Sequence, residues 1–178
     1  MRRFATAAFT AALLAAPALA ALKVGDAAPD FTAQAALAGA PFTFSLADAL
    51  KKGPVVVYFY PKAFTQGCSL EAHAFADAMD KFGALGASVI GVSHDNIADL
   101  ERFSIEKCAN RFAVASDGDQ HIMKSYDSVL AKNPEFANRT SYLIAPNGHV
   151  LAEYTDMDYS KHVDTMLAAL ASWKAAQH

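Results

Sequence analysis

The chain has 178 residues, of which 53% are hydrophobic, and a formal net charge of −3 at pH 7. This length is sufficient for one domain with a single substantial core. A mildly acidic chain without a cluster of lysine and arginine argues against binding to nucleic acid or to anionic membrane surfaces.

The first twenty residues have the pattern of a secretory signal peptide. Arg2 and Arg3 precede an uncharged apolar stretch that ends in Ala-Leu-Ala at 18–20, which is a typical cleavage sequence. The stretch is shorter than the ~20 residues that cross a bilayer, which argues against a membrane anchor. We therefore predict a signal peptide, export to the periplasm, and a mature domain at 21–178 with a net charge of −5. No later segment is apolar and long enough to predict membrane contact after cleavage.

The predicted elements after the signal peptide alternate between strands and helices. An extended segment at 21–37 leads to a short strand at 41–46 and a short helical or turn segment at 47–53. The near-continuous apolar run at 54–61 indicates a strand that is covered on both faces of a sheet. Periodicity and turn signals predict the remaining elements: a helix at 69–85, a strand at 87–95, a helix at 96–110, a strand at 111–117, a short helix at 119–129, two strands within 139–155 that turn at Asn147-Gly148, and a helix at 160–176.

This order of elements predicts an α/β fold with a mixed central sheet. Strand–helix alternation followed by a hairpin and a helix is typical of such a sheet. Right-handed crossovers would place helices on both of its faces. A thioredoxin-like fold with insertions fits the order.

Cys68 follows the strand at 54–61 and stands where a helix begins. A thiol reacts as its thiolate, and a helix N-terminus, a neighbouring cation or hydrogen bonds to sulfur lower its pKa from ~8.5. Gly67 allows close backbone packing, and the Thr65 hydroxyl could lie beside the sulfur or cap the helix. A buried, inert cysteine remains the alternative at this point.

The sequence YPKAFTQGC, at 60–68, resembles the active-site loop of the peroxiredoxins, whose motif is Pro-x-x-x-Thr-x-x-Cys. Pro61, Thr65 and Cys68 match its three fixed positions. The sequences VGDAAPDF, VIGVSHD, FAVASD and RTSYLIAPNGHV follow the family's order, so the resemblance covers nearly the whole mature chain. The most similar branch is that of peroxiredoxin Q, or bacterioferritin comigratory protein. The resemblance implies a thioredoxin-like fold and reduction of hydroperoxides by a cysteine, without metal, flavin or other cofactor.

The resemblance also implies a role for each matching residue. Cys68 would be the peroxidatic cysteine, which attacks the O–O bond and becomes a sulfenic acid. Thr65 would direct its hydroxyl at the sulfur and the peroxide, and Pro61 would shield the site from water. Arg139 would stabilise the thiolate and the charge that develops on the peroxide oxygens, and Glu71 would orient Arg139.

The second cysteine departs from the usual pattern of this branch. Many members carry it five residues after the first, where this chain has His73. Cys108 is the other candidate for a resolving cysteine, although members that use this helix carry theirs nearer the position of Ser104. A disulfide needs Cα atoms within ~7 Å, so resolution would require local unfolding. An unpaired Cys108 and a permanent bridge remain open. The expected partners are a hydroperoxide and a thioredoxin-like or other thiol reductant, and the chain would be a monomer or a weak dimer.

Three other readings share the same fold. A thiol–disulfide oxidoreductase of thioredoxin type needs Cys-x-x-Cys, but Glu71 occupies the second position. A copper-binding module needs Cys-x-x-x-Cys, but Ala72 stands there, and the histidines have no ligand spacing. A non-catalytic binding domain remains possible in principle.

Overall fold

The computed structural model describes residues 21–177 of the chain. The predicted signal peptide, at 1–20, lies outside the described residues, as does residue 178. The elements in chain order are β1 Thr32–Leu37, β2 Ala40–Ser45, α1 Leu46–Leu50, β3 Val55–Phe59, α2 Gln66–Ala84, β4 Ser88–Ser93, α3 Ile97–Glu106, β5 Ala113–Ser116, α4 His121–Ser125, β6 Thr140–Ile144, β7 Val150–Thr155 and α5 His162–Ala175, the last directly after a turn of 3-10 helix at Tyr159–Lys161.

The strands of the described residues form one mixed sheet in the order β2-β1-β5-β4-β3-β6-β7. β3, β4 and β5 are parallel neighbours, whereas β1 and β6 flank them in antiparallel orientation. Because parallel strands need a crossover connection, α2 joins β3 to β4 and α3 joins β4 to β5. The predicted α/β class with a mixed central sheet is confirmed.

Strand β3 separates two cores, and its burial explains its apolar sequence. All five of its residues are buried. Val56 and Tyr58 pack in the core that contains residues of α2, α3 and α5. Val55, Val57 and Phe59 point to the opposite face, where α1 and α4 supply the partners. Helices therefore cover both faces of the sheet, as the sequence predicts.

The residues of the candidate active site lie at the edge of the sheet where β3 ends. Phe59, the last residue of β3, pairs with Val92 in β4 and with Thr140, the first residue of β6. Because β6 runs antiparallel to β3, the chain enters β6 at the edge where it leaves β3. Arg139 and the loop that carries Cys68 consequently share this edge, although they are 71 residues apart.

The main element that the sequence patterns miss is β1, which lies within the predicted extended segment. Apart from Thr32, its sequence TAQAAL lacks the β-branched and aromatic residues that favour strands. Pairing with β2 and β5 holds it in the sheet instead. Ala38 and Gly39, both at positive φ, form the two-residue hairpin turn whose twist suits such a connection.

Three of the predicted helices have wrong boundaries. Helix α2 starts at Gln66, earlier than the predicted residue 69, because its first turn carries no apolar repeat. Helix α3 ends at Glu106, before the predicted residue 110, because Ala109 and Asn110 adopt positive φ, which an α-helix does not tolerate. Helix α4 is confined to His121–Ser125. No helix of the described part of the chain is long and apolar enough to cross a membrane.

Candidate active site

Cys68 lies in the first turn of α2 and is almost completely buried. Thr65 is the N-cap, with extended backbone dihedral angles, and its carbonyl accepts from the amide of Ser69. Cys68 is therefore one of the first residues of α2, whose backbone amides lack partners within the helix. Cys68 is 2% exposed. The dipole of a helix favours negative charge at its N-terminal end.

Arg139 supplies a second positive charge at the same sulfur. Its Nη2 donates a hydrogen bond to Sγ of Cys68 over 3.5 Å. Its Nε donates to the carbonyl oxygen of Met157 at 3.1 Å, and its side chain is 5% exposed. A methyl group at Gly67 would lie 3.2 Å from Nη2, so the glycine leaves the space that the guanidinium occupies. The structure thus brings the two predicted residues Cys68 and Arg139 into contact.

Glu71 is the buried partner of Arg139. Its Oε2 accepts from Nη1 of Arg139 in an ion pair, and the residue is 1% exposed. Burial raises the pKa of Glu71 to about 8, against the opposing attraction of Arg139. Its second oxygen, Oε1, has no hydrogen-bond partner. Glu71 is therefore part of the site and is not an exposed acid at a helix start.

Thr65 and Pro61 form the loop in front of the cysteine. The Thr65 hydroxyl donates to the carbonyl oxygen of Lys62 at 2.9 Å and makes no side-chain cap of α2, so the capping role considered from the sequence is wrong. Because its only proton is used in this way, its oxygen is available to accept a hydrogen bond from a peroxide. Pro61 is partly buried and has no N–H, so it offers water no donor beside the site.

Asp95 and His162 are two buried residues at this edge that the sequence patterns do not single out. Oδ2 of Asp95 accepts from the amide of Ala63 at 2.7 Å and from the hydroxyl of Ser93 at 2.8 Å, which anchors the active-site loop to the end of β4. The acid directly after a buried strand was a usable signal. His162 lies 3.8 Å from Oε1 of Glu71, and no local pattern indicates that contact.

Cys108 is fully buried and lies after α3, not within it. Both cysteines are free thiols in the structure. Cys68 and Cys108 belong to the same apolar core, together with Tyr58 and Tyr60. Burial raises the pKa of Cys108 far above its ordinary value. Ser104, near which the resemblance implies a resolving cysteine in some members, is buried, and its hydroxyl oxygen accepts from the amide of Gly39 at 2.9 Å.

Metal ligands do not gather anywhere in the part of the chain that the structure describes. Within residues 21–177, no group of three or more histidine, cysteine, aspartate or glutamate side chains could hold a metal ion. His73, which occupies the usual place of the second thiol, is exposed on α2. The chemistry that this edge offers is that of a buried thiol with a cation beside it at a helix N-terminus.

Comparison with known proteins agrees with this geometry. The family model described as "AhpC/TSA family" matches residues 24–153. Peroxiredoxin Bcp of Xanthomonas campestris is 32% identical over 124 residues, which cover 65% of this chain and 75% of that protein. The chloroplastic peroxiredoxin Q of Sedum lineare is 34% identical over 125 residues, covering 70% of this chain and 67% of that protein.

A solved structure has the same architecture. The crystal structure of peroxidoxin BcpB from Mycobacterium tuberculosis superposes with a TM-score of 0.77 at 27% identity, covering 85% of this chain and 97% of that one. The predicted family and thioredoxin-like fold are therefore confirmed. The chain belongs to the AhpC/TSA family, the peroxiredoxins, and is a thiol-dependent peroxidase.

Proposed function

We propose that the protein reduces hydroperoxides at Cys68, with Arg139 and Thr65 as the residues that contact the peroxide. The 3.5 Å hydrogen bond from Arg139 to the Cys68 sulfur carries this proposal. A fixed guanidinium and a helix N-terminus stabilise the thiolate, which is the nucleophile. The hydroxyl oxygen of Thr65 accepts a hydrogen bond from the peroxide O–H, which orients the O–O bond.

The first step consumes one peroxide and oxidises one sulfur. The Cys68 thiolate attacks one peroxide oxygen, an S–O bond forms, and the O–O bond breaks. The leaving alkoxide, or hydroxide from hydrogen peroxide, takes up a proton and departs as an alcohol or water. Arg139 stabilises the negative charge that moves onto the leaving oxygen. Cys68 is left as a sulfenic acid.

We propose that Cys108 resolves this sulfenic acid after its segment opens. The Cys108 thiolate attacks the Cys68 sulfur, an S–S bond forms, and the hydroxyl leaves as water after gaining a proton. Because Cys108 is 0% exposed and burial raises its pKa, it cannot react from the packed state. A thioredoxin-like or other thiol reductant then returns two electrons and two protons.

The segment after Cys108 carries strain that favours opening. Ala109 has φ of 49°, which costs an alanine about 1–2 kcal/mol, and Asn110 has φ of 61°, which asparagine tolerates better. The segment is held by hydrogen bonds from the amides of Cys108 and Asn110 to the end of α3, and by an exposed ion pair between Arg111 and Asp80. The ion pair is a weak restraint, so the packing of Cys108 in the apolar core is the main contact that opening must break.

Replacing each cysteine in turn tests the assignment. Cys68→Ser is expected to abolish peroxide consumption. Cys108→Ser is expected to react once with peroxide and then stop with a thioredoxin-type reductant. Mass spectrometry after one equivalent of peroxide should show a Cys68–Cys108 disulfide in the wild type and a Cys68 sulfenic acid in Cys108→Ser. Full turnover of Cys108→Ser would reject the resolving role, and full turnover of Cys68→Ser would reject the peroxidatic assignment.

The cellular setting belongs to the same proposal. The arginines and apolar stretch of the first twenty residues support export to the periplasm with cleavage after residue 20. We propose that the mature domain acts there as a monomer or a weak dimer. N-terminal sequencing of protein from the periplasmic fraction, followed by sedimentation analysis, would test both statements. An intact N-terminus in the cytosol would contradict export.

A further inference from the structure

His162 is a fully buried histidine that the peroxidase steps above do not use. It is the first residue of α5, and it is 0% exposed. Its Nε2 lies 2.9 Å from the carbonyl oxygen of Asp156. Because a carbonyl oxygen only accepts, Nε2 carries the ring proton. In the neutral ring Nδ1 is then an acceptor, and it takes the hydroxyl proton of Ser141 at 2.8 Å.

The same ring nitrogen faces the one carboxylate oxygen of Glu71 that lacks a partner. Nδ1 of His162 lies 3.8 Å from Oε1 of Glu71, whereas Oε2 is occupied by Arg139. A buried oxygen without a hydrogen bond is costly. Nδ1 has one lone pair, so it can face a proton on Oε1 as acceptor only when the Ser141 hydroxyl turns away from it, whereas a proton on Nδ1 would be paired with the carboxylate. Either arrangement stores one proton between the two side chains.

The charge of Arg139 depends on that proton. A fully ionised Glu71 would neutralise the guanidinium and weaken its attraction for sulfur. With one proton on the Glu71–His162 pair, the three side chains carry a net charge of +1 opposite the single negative charge of a Cys68 thiolate. We propose that His162 is a positioning residue that shares one proton with Glu71 behind Arg139, so that the guanidinium charge remains available to the Cys68 thiolate. The inference rests on the proposed role of Cys68 and deepens it.

The surroundings of the pair favour this arrangement. Burial raises the pKa of Glu71 to about 8, so the pair retains its proton at neutral pH. Burial and the charge of Arg139 lower the pKa of His162, while the carbonyl of Asp156 opposes them. The charged or titratable groups that face the pair from the packed elements are Tyr58 of β3, Cys68 of α2, Arg139 before β6, Tyr154 of β7, and Asp156 and Asp158 of the following loop.

The test measures ionisation of Cys68 in a Cys108→Ser background, where Cys68 is the remaining thiol. The rate of alkylation by iodoacetamide is followed against pH for His162→Phe, which removes both ring nitrogens. We expect the alkylation midpoint to rise by about one pH unit, which lowers the rate about tenfold at neutral pH. His162→Gln retains an acceptor but binds no proton, so a smaller rise is expected. The matched control is His73→Gln, an exposed histidine of α2, which should leave the midpoint unchanged.

Glu71→Gln separates a shared proton from a purely structural role. In that background the carboxyl charge is absent, so adding His162→Phe should not move the midpoint further. An equal rise with and without Glu71 would overturn the proposal, as would no rise when Glu71 is present. If His162→Phe does not fold, the same two comparisons are made with His162→Gln and decide in the same way. Peroxide consumption is measured in parallel in protein that keeps Cys108. If the His162 and Glu71 variants shift the Cys68 midpoint as expected but the protein consumes no peroxide, the proposed function is rejected and the role of His162 is not.

Discussion

Removing Arg139 should strongly weaken the ionisation of Cys68, and the structure sets the size of the effect. Two unit charges at the observed 3.5 Å attract by about 5 kcal/mol at an effective dielectric constant of ~20. Competition with Glu71 and desolvation reduce this figure, and a hydrogen bond to a charged group contributes about 1.5–3 kcal/mol net. Because 1.36 kcal/mol corresponds to about one pH unit, Arg139→Ala should raise the alkylation midpoint of Cys68 by roughly one to two units.

Glu71 does not reverse this expectation when Arg139 is absent. Arg139 lowers the pKa of Glu71, and burial raises it. Without the arginine, Glu71 holds its proton to still higher pH and adds no negative charge beside the sulfur. The loss of thiolate therefore measures the missing cation itself. Arg139→Lys keeps a charge but not the planar fork that reaches Cys68, Glu71 and Met157 together, so it should recover only part of the ionisation.

The assay is the pH dependence of iodoacetamide alkylation in Cys108→Ser protein, together with the rate of one reaction with peroxide. Arg111→Ala is the matched control, because Arg111 is a partly exposed arginine paired with Asp80 at the surface. It should leave the midpoint unchanged. A midpoint for Arg139→Ala within a few tenths of a unit of the wild type would refute the reasoning, since the contact would then not stabilise the thiolate.

Two further predictions concern the neighbours of this contact. Gly67→Ala places a methyl group 3.2 Å from Nη2 of Arg139, so alkylation of Cys68 should slow by about three- to tenfold, up to one unit of midpoint. Gly83→Ala, in the same helix with nothing within 4 Å, should not slow it. Equal rates for both variants would contradict the steric argument. Glu71→Gln should flatten the pH dependence of stability. The folded chain keeps the Glu71 proton up to a pKa of about 8, against an ordinary value of 4.5, so the wild-type free energy of unfolding falls as pH rises through that window, by at most about 1.4 kcal/mol per unit. The free energy of unfolding is measured by urea denaturation at each pH. If it changed with pH by the same amount in both proteins, the prediction would be contradicted.

The order of the elements was predictable because the positions that the fold buries are apolar in the sequence, at the spacing typical of strands and helices. The run at β3 is apolar on both faces because helices cover both faces. The hairpin of β6 and β7 was predictable from Asn147-Gly148. Strand β1 was not, because its alanine-rich sequence has no strand preference of its own and pairs with β2 and β5 only in the folded sheet. The end of α3 was harder to predict, since Asn110 is a residue type that tolerates the left-handed region but nothing local marks Ala109 as left-handed.

The sequence, through its resemblance to the peroxiredoxins, indicated which residues of the site are chemically special: a Pro-x-x-x-Thr-x-x-Cys loop after a buried strand, and an arginine before a later one. A motif within nine residues is local, so it can be read without knowing the fold. Only the tertiary structure decided what surrounds the sulfur. The antiparallel pairing of β6 with β3 brings Arg139 to Cys68, and the packing of α5 brings His162 to Glu71. Such contacts join residues far apart in the chain, and their burial sets the charges, because removal from water decides whether Glu71 keeps its proton.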